Sequence, residues 1–544
     1  MAISTVVNQK SKLLINWQAT QKLLLAKNQV INLCSESHAI LNNHSMKKII
    51  GFFVLINLLA SVNAQKKINV RDFGAKGNGK SDDTRAIQAA INAAPSSNKT
   101  IIYFPAGIYK VASYTTTKNY LENYSLLLHS NLSFKGDGKN SIIKVGDHIF
   151  DKEDSNANAH LFYGRHVNNV SFSFLTIDLN GSRNLNPPKA KKNHSALFLV
   201  NGTNCSLNNV AVKNCSGNDM LLIMGNGNKL LISNCQFLNG GRYVGTKTPN
   251  SNSYDFSFVY SEWDSTIFEK NLVKQQNIDI GLSNNCGGLE IHGNNSIATS
   301  NDFIGCWPGI FISSQKDIPL HDVMIKDNQF NQCVDGIIFW LKEPINNITI
   351  KNNKIKLTAS RDNRQNLSIG IEVPNGNAKE YSNRLANGST ITNLEVFNNI
   401  ISGEPMQKLS AGFILHSLQK SKIFNNYIDS MTYGGIVLTG SKWGMDSLLV
   451  MDNTFKDFIP YDDKKTARGY IVITDTYSKN KPGASGFKDI MFAHNNFLRD
   501  NVNDVNESFS GAFIAVPANN LNEIKFIDNH YSIASEKKQV LIKY

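Results

Sequence analysis

Ile348-Thr349-Ile350-Lys351-Asn352-Asn353-Lys354-Ile355 is the stretch on which the fold turns. Apolar and polar residues alternate, a polar turn follows, and one residue after Asn353 stands an aliphatic side chain. The phrase returns as Leu448-Leu449-Val450-Met451-Asp452-Asn453-Thr454-Phe455. Its asparagine recurs at Asn271, Asn301, Asn328, Asn353, Asn399, Asn426, Asn453, Asn495 and Asn529. Most steps from one to the next span roughly 25 to 30 positions, and those from Asn353, Asn453 and Asn495 are longer, which is a basic period in the high twenties with insertions. A fixed period of that size is the signature of a solenoid. The elements within it have the two-residue alternation of strands and not a helical stripe, so each turn is built from short strands. Asparagine suits the bends because it tolerates left-handed backbone and bonds the turn, and stacked amides can satisfy one another from rung to rung.

Three insertions interrupt the period, at residues 240–255, 374–392 and 458–486, each rich in Gly, Pro, Asn and charge. In a solenoid such insertions become loops on one face, so they are candidate groove walls. Six of the seven cysteines, Cys205, Cys215, Cys235, Cys286, Cys306 and Cys333, show no Cys-x-x-Cys metal spacing. They read as small residues stacked in successive turns, with disulfides left open.

The 544 residues are 41% hydrophobic and 18% charged, the balance of a soluble protein with a real core. Ahead of Gln65, Lys10, Lys12, Lys22, Lys27, Lys47 and Lys48 stand against Glu36 alone, so part of the net charge of +13 belongs to that segment. What is left is a moderately basic body suited to polyanions in general. Met46-Lys47-Lys48, the apolar run Ile49 to Ala60 and the small-residue site Val62-Asn63-Ala64 have the three-part order of a secretory signal, cleaved before Gln65. Residues 1–45 are then an upstream extension or a mis-assigned start, and residues 66–544 one domain. Export to a secreted or periplasmic location turns the positive charge toward a glycan and away from nucleic acid. No later stretch has the roughly 20 apolar residues of a membrane span.

Ile68-Asn69-Val70-Arg71-Asp72-Phe73-Gly74-Ala75-Lys76-Gly77-Asn78-Gly79-Lys80-Ser81-Asp82-Asp83-Thr84, then Ala86-Ile87-Gln88-Ala89-Ala90-Ile91 and Ile101-Ile102-Tyr103-Phe104-Pro105-Ala106-Gly107-Ile108-Tyr109, resembles the opening of the pectate-lyase superfamily, its rhamnogalacturonase-like and epimerase-like branch included. The resemblance is specific over residues 66–111. It implies an all-β, right-handed, single-stranded parallel β-helix with an amino-terminal capping helix, and a polysaccharide substrate. It also makes calcium a possible cofactor, although no compact Asp cluster marks a site. In the opening itself Asp82, Asp83 or Thr84 can cap the helix that follows, and Ile87, Ile91 and Ala94 form its apolar stripe, so the Asp-Asp pair reads as structural. The polygalacturonase Asn-x-Asp, Asp-Asp and Arg-x-Lys motifs and the alginate-epimerase Asp-Pro-His-Glu are not carried over; His292-Gly293 alone matches, and it is too short to assign chemistry.

Equivalent residues of adjacent rungs stack about 4.8 Å apart. Aligning the segments that begin at Gly288, Gly309, Gly336, Gly370 and Gly412 turns the next residue inward each time. One outward column is then Glu290, Phe311, Ile338, Glu372 and Ile414, and the other is His292, Ser313, Trp340, Pro374 and His416. Setting Asn271 against Asn301 and carrying the same step back along the chain places Tyr260 beneath Glu290 and Glu262 beneath His292. Tyr260, Glu262, Glu290 and His292 are therefore the candidate catalytic cluster, and Trp340, Lys342, Ser313 and Glu372 the candidate substrate contacts. Trp340 suits a sugar platform. Asp219 faces the groove with no evident pair.

Three functions follow. The first is β-elimination on a uronate-containing, pectin-like polysaccharide, with His292, Tyr260 and Lys342 supplying base and charge neutralisation. The second is glycoside hydrolysis by Glu262 and Glu290, which lie about 8 Å apart on the diagonal. The third is a glycan-binding surface protein without catalysis.

Overall fold

In the computed structural model the described residues are 65–149, 159–184, 194–217, 219–240, 257–275, 286–315, 317–358, 367–374, 390–404, 409–440, 444–458, 468–474, 486–498, 510–516, 523–532 and 541–543. The signal segment and most of the three insertions lie outside them. Each turn of the solenoid contributes up to three short strands, such as Gly287–Ile291, Ile297–Thr299 and Asp302–Ile304. The first strands of successive turns form one 14-stranded parallel sheet, from Tyr124–Leu127 to Leu541–Lys543. The second and third strands form the remaining walls, also with parallel pairing between turns. The protein is a right-handed parallel β-helix.

The alternation of the sequence sets the two sides of each wall. Leu289, Ile310, Ile337, Ile371 and Phe413 are fully buried in one column. Phe237, Phe268, Phe303 and Phe330 stack through the core with ring centroids 5.0–6.3 Å apart. The glycine before each inward residue lies where a side chain would collide with the next rung. A Cβ on Gly370 would stand 2.5 Å from the Gly412 carbonyl and 2.6 Å from Ile401 Cγ2. The backbone carbonyl cannot rotate away, so Gly370→Ala is expected to cost about 1–3 kcal/mol, measured as a lower urea midpoint. An unchanged midpoint would contradict the packing described.

The nine asparagines form one ladder inside the bend. Each Oδ1 from Asn301 to Asn529 accepts both the backbone N–H and the Nδ2 of the asparagine one turn earlier, at 2.9–3.1 Å. Left-handed backbone belongs to the residue before: Lys270, Ser300, Asp327, Asn352, Asn398, Asn425, Asp452, His494 and Asp528 all have positive φ. The ladder asparagines thus serve through their amides and not, as the sequence suggested, through a left-handed backbone. The six cysteines are free and buried, and burial pushes the thiols of Cys205 and Cys235 up to about 11 and about 12. They pack as small apolar residues.

The helix Thr84–Asn92 buries Ile87, Ala90 and Ile91 against the first turn. Gln88 closes the edge of the groove sheet: its Oε1 accepts from Leu127 N at 2.8 Å and its Nε2 donates to Leu127 O at 3.2 Å. An unpaired strand edge is thereby covered. Asp82 Oδ1 accepts from Thr84 N and Ala112 N, each at 3.0 Å. Asp83, at the N-cap position, bonds instead to Lys76 N and Gly77 N. Both carboxylates hold the cap together.

Candidate active site

Along the outer face of the 14-stranded sheet the column Phe198, Leu222, Tyr260, Glu290, Phe311, Ile338, Glu372, Ile414 runs in continuous register. From Glu290 onward this is the column read from the sequence, and Tyr260 does pair with Glu290. A second outward column holds Arg165, Val200 and Met224. Glu262 continues it, because its N–H bonds to Ile223 O in the ladder.

The four predicted side chains converge. Tyr260 Oη donates to Glu262 Oε1 at 2.8 Å, and Gly225 N donates to Glu262 Oε2. Glu290 Oε1 lies 2.8 Å from His292 Nε2, while Ser257 Oγ donates to Glu290 Oε2 at 3.0 Å. The Tyr260 and His292 rings are 4.6 Å apart between centroids. Burial, and then the facing carboxylates of Glu262 and Glu290, push the Tyr260 phenol far above its ordinary value. It stays protonated and keeps its proton for the hydrogen bond to Glu262. The His292 side chain is 2% exposed, so it meets a ligand through Glu290 and not directly.

A cleft of about 590 Å³ opens over this cluster and extends toward the amino-terminal turns. Asp219, Tyr260, Glu262 and Glu290 line one end, Phe198, Leu222 and Met224 the floor, and Glu122 and Arg165 the other end. Asp219 finds a neighbour after all, accepting from Ser257 N at 3.3 Å. Glu122, Arg165 and Phe198 had no place in the sequence reading. The steps between their turns, from Arg165 to Val200, Val200 to Met224 and Leu222 to Tyr260, are too uneven to carry a register.

The four proposed substrate contacts do not line this cleft. Ser313 is buried and donates to Ser314 O at 3.1 Å. Trp340 packs on Phe311 with centroids 5.7 Å apart. Lys342 follows it and donates its backbone N–H to Ser314 Oγ at 3.0 Å. Glu372 stands three turns beyond Glu290.

Glu372 belongs to a separate polar cluster. Buried Asp335 accepts from Trp307 Nε1 at 2.6 Å and from Ile369 N at 2.9 Å. Burial, and then the Glu372 charge, raise Asp335 to about 8, and burial raises Glu372 to about 7. A carboxyl whose folded-state pKa is raised stabilises the fold in full below its ordinary value near 4, and that contribution is lost as pH rises through 7 to 8. The wild type is therefore expected to lose stability between pH 5 and pH 8 in urea titrations, and Asp335→Asn to flatten that slope. Equal slopes would exclude Asp335 as its source.

Among the described residues no group of three or more His, Cys, Asp or Glu side chains is placed to hold a metal ion. No described helix is long and apolar enough to cross a membrane.

Residues 67–338 match the family described as rhamnogalacturonase A/epimerase, pectate lyase-like. The mannuronan C5-epimerase AlgE2 of Azotobacter vinelandii is 39% identical over 113 residues, 21% of this chain and 11% of that protein. Alginate lyase 7 of the same organism is 42% identical over 80 residues, 14% of this chain and 9% of that protein. The chain thus spans about a tenth of the length of these curated relatives. Among solved structures, a point mutant of the tailspike protein of E. coli bacteriophage HK620 in complex with a pentasaccharide superposes with a TM-score of 0.58 at 14% identity, covering 83% of this chain and 80% of that one. The A-module of the A. vinelandii mannuronan C-5 epimerase AlgE6 gives 0.50 at 17% identity, covering 80% and 100%. At these identities the structural likeness is one of fold.

Proposed function

The chain belongs to the rhamnogalacturonase A/epimerase, pectate lyase-like family, and from that premise we propose that it acts on an acidic polysaccharide, with Glu262 and Glu290 as the acid–base pair that cleaves it. The observation that carries this reading is the pair itself. Two carboxylates face one cleft from adjacent turns, each held by its own partner, Tyr260 for one and His292 for the other. One turn and two residues apart, they rise from backbone positions about 8 Å apart on the diagonal, a placement compatible with the carboxyl spacing of inverting hydrolysis.

Glu262 receives hydrogen bonds from Tyr260 and Gly225, which fix its orientation and leave it placed to activate the water. Glu290 shares a hydrogen bond with His292 Nε2, from which a proton given to the glycosidic oxygen can be replaced. The apolar floor of Phe198, Leu222 and Met224 suits the faces of sugar rings.

A second reading keeps the cleft and removes the C5 proton of a uronate, the step shared by β-elimination and C5-epimerisation. Two observations favour it: the contact of Tyr260 with His292, and the mannuronan epimerases and alginate lyase among the relatives. It asks for a cation beside the sugar carboxylate, and the one cation among the described residues lining the cleft, Arg165, stands three turns from Glu262. Lys342, offered for this role by the sequence, does not line the cleft.

Incubation with pectin, rhamnogalacturonan, alginate and sulfated algal glycans, read by reducing ends and by ultraviolet absorbance of unsaturated uronate, tests both readings. Hydrolysis gives new reducing ends without absorbance, elimination gives both, and epimerisation gives neither but changes the uronate signals in the proton NMR spectrum of the polymer. Binding with no product from any polymer would favour a non-catalytic glycan-binding protein. Export through residues 46–64 belongs to the same proposal. Mass spectrometry of the mature protein should find Gln65 at its amino terminus.

A further inference from the structure

The cleft is unevenly charged. Of the described charged side chains that line it, Glu122, Asp219, Glu262 and Glu290 are carboxylates and Arg165 is the one cation. Arg165 is held in place from below. Its Nε donates to Tyr163 Oη at 3.0 Å, and one Nη2 hydrogen goes to Glu122. The guanidinium has five donors in a fixed fork, so three N–H groups, both of those on Nη1 included, are left undonated to any described residue. The side chain is 41% exposed and opens on the cleft.

Position adds the second argument. Arg165 pairs with Val200, Val200 pairs with Met224, and Glu262 is next in that column. Three turns of about 4.8 Å separate Arg165 from Glu262 by roughly 14 Å. The floor between them is apolar, built on Phe198, Val200, Leu222 and Met224. A single sugar cannot bridge that span, whereas an oligosaccharide lying along the floor can.

We propose that Arg165 is a subsite for the carboxylate of an acidic sugar, several residues along the chain from the bond cut at Glu262 and Glu290. The inference rests on the reading of the cleft as a polysaccharide site and names the group that selects the polymer. The acidic sugar docks at the Arg165 end, where planar recognition of a carboxylate is available. A neutral sugar suits the end beside Asp219, Glu262 and Glu290, where the described charged side chains that line the cleft are all acidic. The substrate is then a polymer that mixes uronates with neutral sugars.

The test separates binding from turnover. In the Glu262→Gln background, hexasaccharides of alternating uronate and neutral sugar, and the same hexasaccharides after carboxyl reduction, are titrated by calorimetry with Arg165 present or replaced by Gln. The expected result is a 10- to 100-fold loss of affinity for the acidic hexasaccharide, the usual weight of charge-assisted hydrogen bonds, and no change for the reduced one. Arg165→Lys should recover part of the loss, and matching melting temperatures show that the variants are folded. Equal affinities with and without Arg165, equal losses for both sugars, or no binding at all would overturn the proposal. Cleavage by the wild-type protein is scored separately. If no polymer is cleaved but acidic binding still depends on Arg165, the catalytic reading fails and the subsite stands.

Discussion

Glu290→Gln is expected to lower kcat by about 100- to 10,000-fold while leaving KM within a few-fold of wild type. Glutamine keeps the size of the side chain and can still meet Ser257 and His292, so the change removes the proton and little else. Glu262→Gln should give a loss of the same order, because its partners Tyr260 and Gly225 hold a carboxylate in place for the opposite half of the reaction. His292→Gln should be milder, about tenfold, since His292 is buried and acts through Glu290. Initial rates on the cleaved polymer, with far-ultraviolet circular dichroism to show an intact solenoid, decide the matter. Full activity in both glutamate variants would remove them from the chemistry.

The largest effect on stability is expected from Asn353→Leu. Asn353 is fully buried, and its Oδ1 accepts from both Asn328 N and Asn328 Nδ2 at 3.0 Å. Its Nδ2 donates to Ile325 O at 3.0 Å and to Asn399 Oδ1 at 2.9 Å. Leucine leaves two donors of Asn328 and the Ile325 carbonyl short of partners inside the core, at about 1–3 kcal/mol each. A total of about 3–6 kcal/mol is a large fraction of the stability of any domain. Asn529 lies at the last described rung of the ladder and is part exposed, so Asn529→Leu should cost far less. Urea midpoints compare the two, and hydrogen exchange at the Asn328 amide gives a local reading, because that N–H loses its acceptor. Similar midpoints for the two variants would show that the ladder does not carry this load.

The ladder and the inward column were legible because both follow directly from the chain. A constant period fixes which residues stack, and two-residue alternation fixes which side each one faces, so the pairing of Tyr260 with Glu290 could be read across a whole turn of intervening chain. The site was legible only in part. Alternation says that Trp340 leaves the core, but its packing on Phe311 is a matter of side-chain volume that no period reveals. The extent of the cleft was hidden for the opposite reason. Arg165 lies far ahead of Glu262 in the sequence and three turns away in space, across turns whose length changes at every step. The left-handed corner residues were misplaced by one because Lys270, Ser300, Asp327 and Asn352 share a backbone conformation but no side-chain chemistry.

Product analysis of the wild type beside Glu262→Gln and Glu290→Gln, on polymers that mix uronate and neutral sugars, tests the central claim most directly. Mass spectrometry should show wild-type fragments that have gained one water per cut, with no such fragments from either variant. Fragments carrying an unsaturated uronate end, or equal cleavage by the wild type and both variants, would contradict an acid–base pair of Glu262 and Glu290 hydrolysing the chain in this cleft.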